Sequence, residues 1–288
     1  MSIIEKEREG DALPLLLGVM GDPIIQSKSP AMHRAALDAS GIAGIYVPLH
    51  VRAGSLREAV EGVRALGFRG VNVTVPHKVE VMSYLDEIDE GARAIGAVNT
   101  IVNDDGVLKG YNTDGIGYIR SLKREAVPDL GGKRVLVLGS GGAARGIVHA
   151  LLRENPARVT VANRTAEKAR ELAREWSQLG SLYGCGMEEA AGVLPEVDIV
   201  INTTSVGMYP VPGRTPLDPG LLPSGIVVSD LIYNPLRTEL LLQAERKGCT
   251  IHNGLGMFVY QGGYAFEYWT GRPAPIDAMR EAVLDSLG

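Results

Sequence analysis

The stretch KRVLVLGSGGAARG, residues 133–146, is the tightest constraint on what this chain can fold into. A short apolar run rich in branched residues stops at a glycine cluster, and a helix-compatible stretch follows at once. GSGGAA, from Gly139 to Ala144, fits the pattern G-x-G-x-x-G/A in the strand, turn and helix setting that gives the pattern its meaning. Gly139 permits the tight turn, Gly141 lets the backbone come close to a pyrophosphate, and small Ala144 lets helix and strand pack closely. With Ser140, Gly142 and Ala143 these residues form a candidate phosphate cradle, because the start of a helix meets phosphate charge with free N–H groups. The next apolar run, RVTVAN, reads as a neighbouring parallel strand, so a dinucleotide-binding unit is expected.

The end of that second strand decides which dinucleotide. A site for NAD usually carries an acid there to hold the ribose 2′-hydroxyl. This chain has Asn163, Arg164 and Thr165. With no acid to repel it, a 2′-phosphate could take a charge-assisted bond from Arg164 and a hydroxyl bond from Thr165, so NADP is favoured. The plainer reading makes Arg164 a solvated surface arginine.

Apolar runs alternate with amphipathic stretches on both sides of this motif. Before it come LLLGVMG (residues 15–21), a helix over 29–39, IYVPLHV from Ile45, a helix in SLREAVEGVRALG with Ser55 as a candidate N-cap, GVNVTVP from Gly70, and a helix in HKVEVMSYLDEI. AVNTIV and VLKGYN flank NDDG as a hairpin, and a helix over 113–124 follows. After it come strands in DIVINTTS, GIVVSDLIY and CTIHN, a helix in LLLQAERKG, and two closing helices from Gly254 onward. YPVPGRTPLDP reads as a surface loop. Such alternation predicts an α/β protein with largely parallel sheets. Its 288 residues are enough for two domains, since single cores stop growing near roughly 250 to 300, so two lobes around a cleft are expected.

Composition narrows the function classes. At 45% hydrophobic and 22% charged the chain reads as globular, with no apolar run near the roughly 20 residues that span a bilayer. MSIIEKEREGD carries both signs of charge and reads as a ragged start, not a secretion signal, so a cytoplasmic location is expected. With 34 acids against 29 bases and no basic block, nucleic acid is not an expected partner. Cys185 and Cys249 lack metal-ligand spacing and read as reduced, packed thiols.

Candidate acid/base groups stand where strands end: Lys78 in NVTVPHK and Asp114 in NTDG. Ligands of parallel sheets bind at such ends. Lys78 follows Pro76 and is expected near a helix start, where a lysine is more often simply solvated; paired with a carboxylate it could shuttle a proton. Hydroxyl and amide groups cluster nearby: Ser27 and Ser29 in SKSP, Asn72, Thr74 and Asn99. They suit a polyhydroxylated ligand, yet Ser29 before Pro30 would equally serve as a helix N-cap and the asparagines could hold turns.

Taken in order, SKSP, NVTVPHK, GAVNT, YNTDG, GSGGAA, NRT and GLGMFVYQ resemble the shikimate dehydrogenase family, from about Leu16 to the end of the chain. The resemblance implies a substrate domain (1–113 plus 254–288) and a Rossmann-type NADP domain (114–253). It implies NADPH-dependent reduction of 3-dehydroshikimate to shikimate, with Lys78 and Asp114 as the catalytic pair and no metal. Ser27 and Ser29 would grip the substrate carboxylate, while Asn72, Thr74, Asn99 and Gln261 would bind ring hydroxyls or order the pair. Tyr233 in DLIYNP is similar to a family tyrosine that reaches the substrate from the other domain. Gly254 and Met257 resemble positions beside the nicotinamide. Where the family often has a second arginine, this chain has Lys168, which keeps the charge without the planar fork. A quinate/shikimate dehydrogenase and a silent NADPH-binding regulatory module are the alternatives, and assembly as a homodimer stays open.

Overall fold

The computed structural model describes residues 13–287. MSIIEKEREGD therefore lies outside the described residues. The chain forms β1 (Leu15–Gly21), α1 (Ser29–Ala39), β2 (Gly44–His50), α2 (Leu56–Ala65), β3 (Gly70–Val73), β4 (Glu87–Ile88), α3 (Glu90–Ile95), β5 (Thr100–Asp104), β6 (Val107–Tyr111) and α4 (Asp114–Glu125). It continues with β7 (Arg134–Leu138), α5 (Gly142–Leu152), β8 (Arg158–Asn163), α6 (Ala166–Glu175), β9 (Leu182–Gly186), α7 (Met187–Val193), β10 (Ile199–Asn202), β11 (Val227–Asp230), α8 (Glu239–Arg246), β12 (Thr250–His252), α9 (Leu255–Thr270) and α10 (Ile276–Leu287).

Two six-stranded sheets result, ordered β2-β1-β3-β5-β6-β4 and β12-β11-β10-β7-β8-β9. The second is parallel throughout. In the first, β5 runs against β3 and β6 and the other pairings are parallel. Side-chain alternation explains why both sheets are covered on two faces. On β7, Val135 and Val137 pack with α4, α5 and α6, while Leu136 and Leu138 pack with α8 on the opposite face. On β1, Leu17 and Val19 face α1, α9 and α10, whereas Met20 faces α2. The two C-terminal helices thus return to the first sheet, where Phe266 and Trp269 are buried.

The expected hairpin is present: Asp105 and Gly106, at φ 48° and 91°, make the two-residue turn between β5 and β6. The helix expected over HKVEVMSYLDEI is not. The segment forms a single short 3₁₀ turn, Glu80–Tyr84, and then β4. Edge pairing outweighs the helical pattern, because the N–H of Asp86 reaches Leu108 O at 3.0 Å and that of Asp89 reaches Gly110 O at 2.9 Å. Lys78 accordingly stands at no α-helix start. Two expected caps also fail: Ser55 precedes α2 without a side-chain capping bond, and Lys28, not Ser29, occupies the N-cap of α1.

The helices α4 and α9 connect the halves. A Cβ on Gly117 would lie 2.6 Å from the backbone nitrogen of Gln261, so only glycine allows this approach. It brings the start of α4, with Asp114, over the middle of α9, with Gln261.

Candidate active site

A cleft of about 360 Å³ opens between the sheets. Ser27, Ser29, Asn72, Thr74, Lys78, Asn99 and Asp114 line it from the strand ends and connections of the first sheet, Tyr233 from the loop after β11, and Gly254, Met257 and Gln261 from the first half of α9 and its N-cap. Gln26, Leu231 and Phe258 also line it and were not expected from sequence. Phe258 had a signal, since it lies within GLGMFVYQ.

Lys78 and Asp114 are in contact, with Nζ donating to Oδ2 at 2.6 Å. Their side chains keep 30% and 14% of their exposure, so the pair opens to the cleft while most of it is walled off. Local structure fixes each member. The carbonyl of Lys78 accepts from the N–H of Val98 at 2.8 Å, tying the loop after β3 to the one before β5. Asp114 begins α4, where the helix dipole favours a carboxylate. Its Oδ1 accepts from Asn99 Nδ2 at 2.9 Å.

The polar residues nearby divide by what already holds them. Asn72 is 6% exposed and its amide is fully engaged: Oδ1 accepts from Tyr46 at 2.8 Å, and Nδ2 donates to Asn99 O and Thr100 Oγ1. Ser27 Oγ accepts from the N–H of Ser29 at 3.3 Å, which leaves its own proton uncommitted among the described residues. Gln261, which lines the cleft, donates to Phe258 O at 2.8 Å. Tyr233 stacks on Phe258 with centroids 4.5 Å apart, and burial raises its phenol above the ordinary value, so it stays a donor. Its loop is anchored by buried Asp230, whose carboxylate accepts from Thr238 (2.8 Å), Asn202 (3.0 Å) and the N–H of Ile232 (3.1 Å). Burial pushes the Asp230 carboxyl upward.

The glycine-rich turn lies at the end of β7. Gly139 has φ 105°, and a Cβ there would meet Thr203 Oγ1 at 2.8 Å. Gly141 and Gly142 face open space, since a Cβ on either meets nothing within 4 Å, while Ala144 is wholly buried against the sheet. Ser140 is half-buried and Ala143 exposed at the same turn. A cradle with that much room suits a dinucleotide phosphate at the start of α5. Beyond β8, Asn163 holds the next turn by donating to Thr165 O at 3.0 Å. Arg164, Thr165 and Lys168 are exposed. Arg170 and Arg174 of α6 pair with Glu189 and Glu167, but Arg164 and Lys168 have no acidic partner among the described residues. Two uncommitted cations beside a hydroxyl fit a 2′-phosphate and offer nothing to a bare ribose diol that an acid would not offer better.

Three family models match the chain: the shikimate dehydrogenase substrate binding domain over residues 19–101, shikimate / quinate 5-dehydrogenase over 121–212, and the shikimate 5′-dehydrogenase C-terminal domain over 254–284. Shikimate dehydrogenase (NADP(+)) of Geobacillus kaustophilus is 50% identical, over 94% of this chain and 98% of that protein. A crystal structure of shikimate dehydrogenase in complex with NADP+ superimposes with a TM-score of 0.90 at 41% identity, covering 96% of each chain. Shikimate 5-dehydrogenase of Thermus thermophilus, in complex with NADP(H) and shikimate, gives 0.87 at 37% identity over 95% of this chain and 100% of that one. Half-identical to such a relative over nearly its whole length, and matched by these models on both sides of the cleft, this chain belongs to the shikimate dehydrogenase family.

Proposed function

We propose that the protein reduces 3-dehydroshikimate to shikimate with NADPH, reversibly, as a step of aromatic amino-acid biosynthesis. The observation that carries the reading is the Lys78–Asp114 contact at 2.6 Å in a cleft lined from both sheets. NADPH supplies the hydride when bound. The residues of the chain bind, orient and move a proton. Lys78 and Asp114 exchange one with the oxygen on the reacting carbon. Asn99 steadies Asp114, and Asn72 steadies Asn99. Ser27, Ser29 and Tyr233 hold the substrate carboxylate, and Thr74 and Gln261 meet ring hydroxyls, because a buried hydroxyl without a partner costs about 1 to 3 kcal/mol.

The turn Gly139–Ala144 takes the pyrophosphate, Arg164, Thr165 and Lys168 take the 2′-phosphate, and Gly254 and Met257 border the nicotinamide. The substrate domain comprises residues 1–113 plus 254–288, and the NADP domain 114–253. A biosynthetic enzyme with two unbridged thiols suits the cytoplasm. Nicotinamide reduction followed with shikimate and with quinate, each against NADP and NAD, tests the reading. Turnover should be fastest with shikimate and NADP. No turnover in any combination sinks it, and faster turnover of quinate would reassign the substrate.

A further inference from the structure

Asn99 can support the Asp114 carboxylate only while its amide nitrogen faces that way, since the reversed amide would set oxygen against oxygen. Three donors fix the orientation by meeting Asn99 Oδ1: the N–H of Thr113 at 2.8 Å, the hydroxyl of Thr100 at 3.0 Å and that of Thr113 at 3.2 Å. Thr100 has a single proton to give. Asn99 Oδ1 at 3.0 Å is a nearer acceptor than the Thr113 hydroxyl at 3.4 Å, and Asn72 Nδ2, 3.1 Å away, donates to the Thr100 oxygen. Asn72 is oriented in its turn by Tyr46, whose hydroxyl donates to Oδ1 at 2.8 Å. A chain of donors thus runs from Tyr46 through Asn72, Thr100 and Asn99 to Asp114, whose other oxygen accepts from Lys78.

The start of this chain is rigid and carries no charge. Tyr46 is 6% exposed and stacks on His33 with centroids 4.3 Å apart and planes 12° apart. Trp269 packs against both rings, its centroid 6.2 Å from that of Tyr46 and 5.3 Å from that of His33. Burial holds the phenol well above its ordinary value of 10.0, so it stays a donor wherever the protein is folded. His33 is the other titratable side chain stacked on it; burial lowers it to about 3, leaving the ring neutral.

We infer that Tyr46, which does not line the cleft, is a positioning residue for the proton-transfer pair, acting through Asn72, Thr100 and Asn99. The inference rests on Lys78 and Asp114 being that pair. Tyr46→Phe keeps the ring stack and removes one donor. In that variant kcat with shikimate falls about three- to tenfold, the worth of one neutral hydrogen bond, while KM for shikimate and for NADP changes less than about twofold. The acidic limb of the kcat/KM profile is displaced in the same variant, because the hydrogen bond that Asn99 gives Asp114 is weakened. Thr100→Val behaves alike, Thr100→Ser restores the wild-type values, and the double variant with Tyr46→Phe is no worse than the poorer single one.

A second readout needs no turnover: the pH dependence of Lys78 acylation by acetic anhydride, located by peptide mapping, is displaced in Tyr46→Phe. A Tyr46→Phe protein that loses thermal stability but keeps wild-type kcat, acidic limb and acylation profile overturns the inference and leaves the hydroxyl a structural one. Displaced acylation in a protein whose wild type turns over no shikimate retains the relay and removes the function.

Discussion

The Lys78–Asp114 pair and the two cations beyond β8, Arg164 and Lys168, are held in opposite ways. Asp114 is fixed on both oxygens, and the side chains behind it are fixed in turn. Arg164 and Lys168 are exposed and engage no acid among the described residues. The contrast follows the work of each group. A group that exchanges a proton with a reacting atom loses rate if it wanders, since alignment is set before the reaction starts. A cation that clamps a phosphate needs only to arrive, and its long side chain can order on contact.

If that division is right, the largest effect comes from the fixed end. Lys78→Ala should lower kcat by about 10²- to 10⁴-fold, with a smaller change in apparent shikimate binding. Steady-state kinetics on a protein of unchanged circular dichroism checks this, and near-normal kcat would return Lys78 to a solvated role. At the adaptable end, Arg164→Ala should weaken NADP by about 10- to 100-fold, in line with about 1.5 to 3 kcal/mol for a bond to a charged group, and leave NAD little changed. Equal losses for both cofactors in isothermal titration would break the comparison. Between the two ends stands the substrate grip. Ser27→Ala should raise KM for shikimate by roughly tenfold with a lesser fall in kcat, because a carboxylate makes the same bonds before and during reaction. An unchanged KM in a stable variant would refute the assignment. Lys168→Ala should have the smallest effect, a loss of about two- to fivefold in NADP affinity, as expected of an exposed charge contributing about 1 kcal/mol or less. If the double variant with Arg164→Ala is merely additive, the two cations do not share one phosphate.

Local signals carried much of this. Strands β1 and β7, helix α1 and the β5–β6 turn are each announced by a run of apolar residues bounded by a stop, and each lies where the sequence places it. The segment after Lys78 misled because its apolar spacing suits a helix, and what decides its form is a free sheet edge at β6, which is not written locally. Elements α3, α6, α7 and β9 gave no expectation; β9, LYGCG, is a glycine-bearing edge strand with little to mark it. The site was legible by residue type and by family pattern, but the wiring was not. Asn72 and Thr100 lie in motifs, whereas Tyr46 sits in a strand that reads as ordinary core. Only the pairing of β1 with β2 and β3 brings its hydroxyl to Asn72.

The return of α9 and α10 to the first sheet sets a schedule for synthesis on the ribosome. The face of β1 that bears Leu17 and Val19 waits, partly uncovered, until everything from β7 to β12 has been made. The parallel second sheet, by contrast, is drawn from one unbroken stretch and can close as soon as it emerges. We therefore expect a nascent chain stalled before Gly254 to resist protease over β7–β12 and to be cut within β1–β3; uniform protection would refute this. The half built on the first sheet is the one that must be kept from aggregating until the last helices arrive.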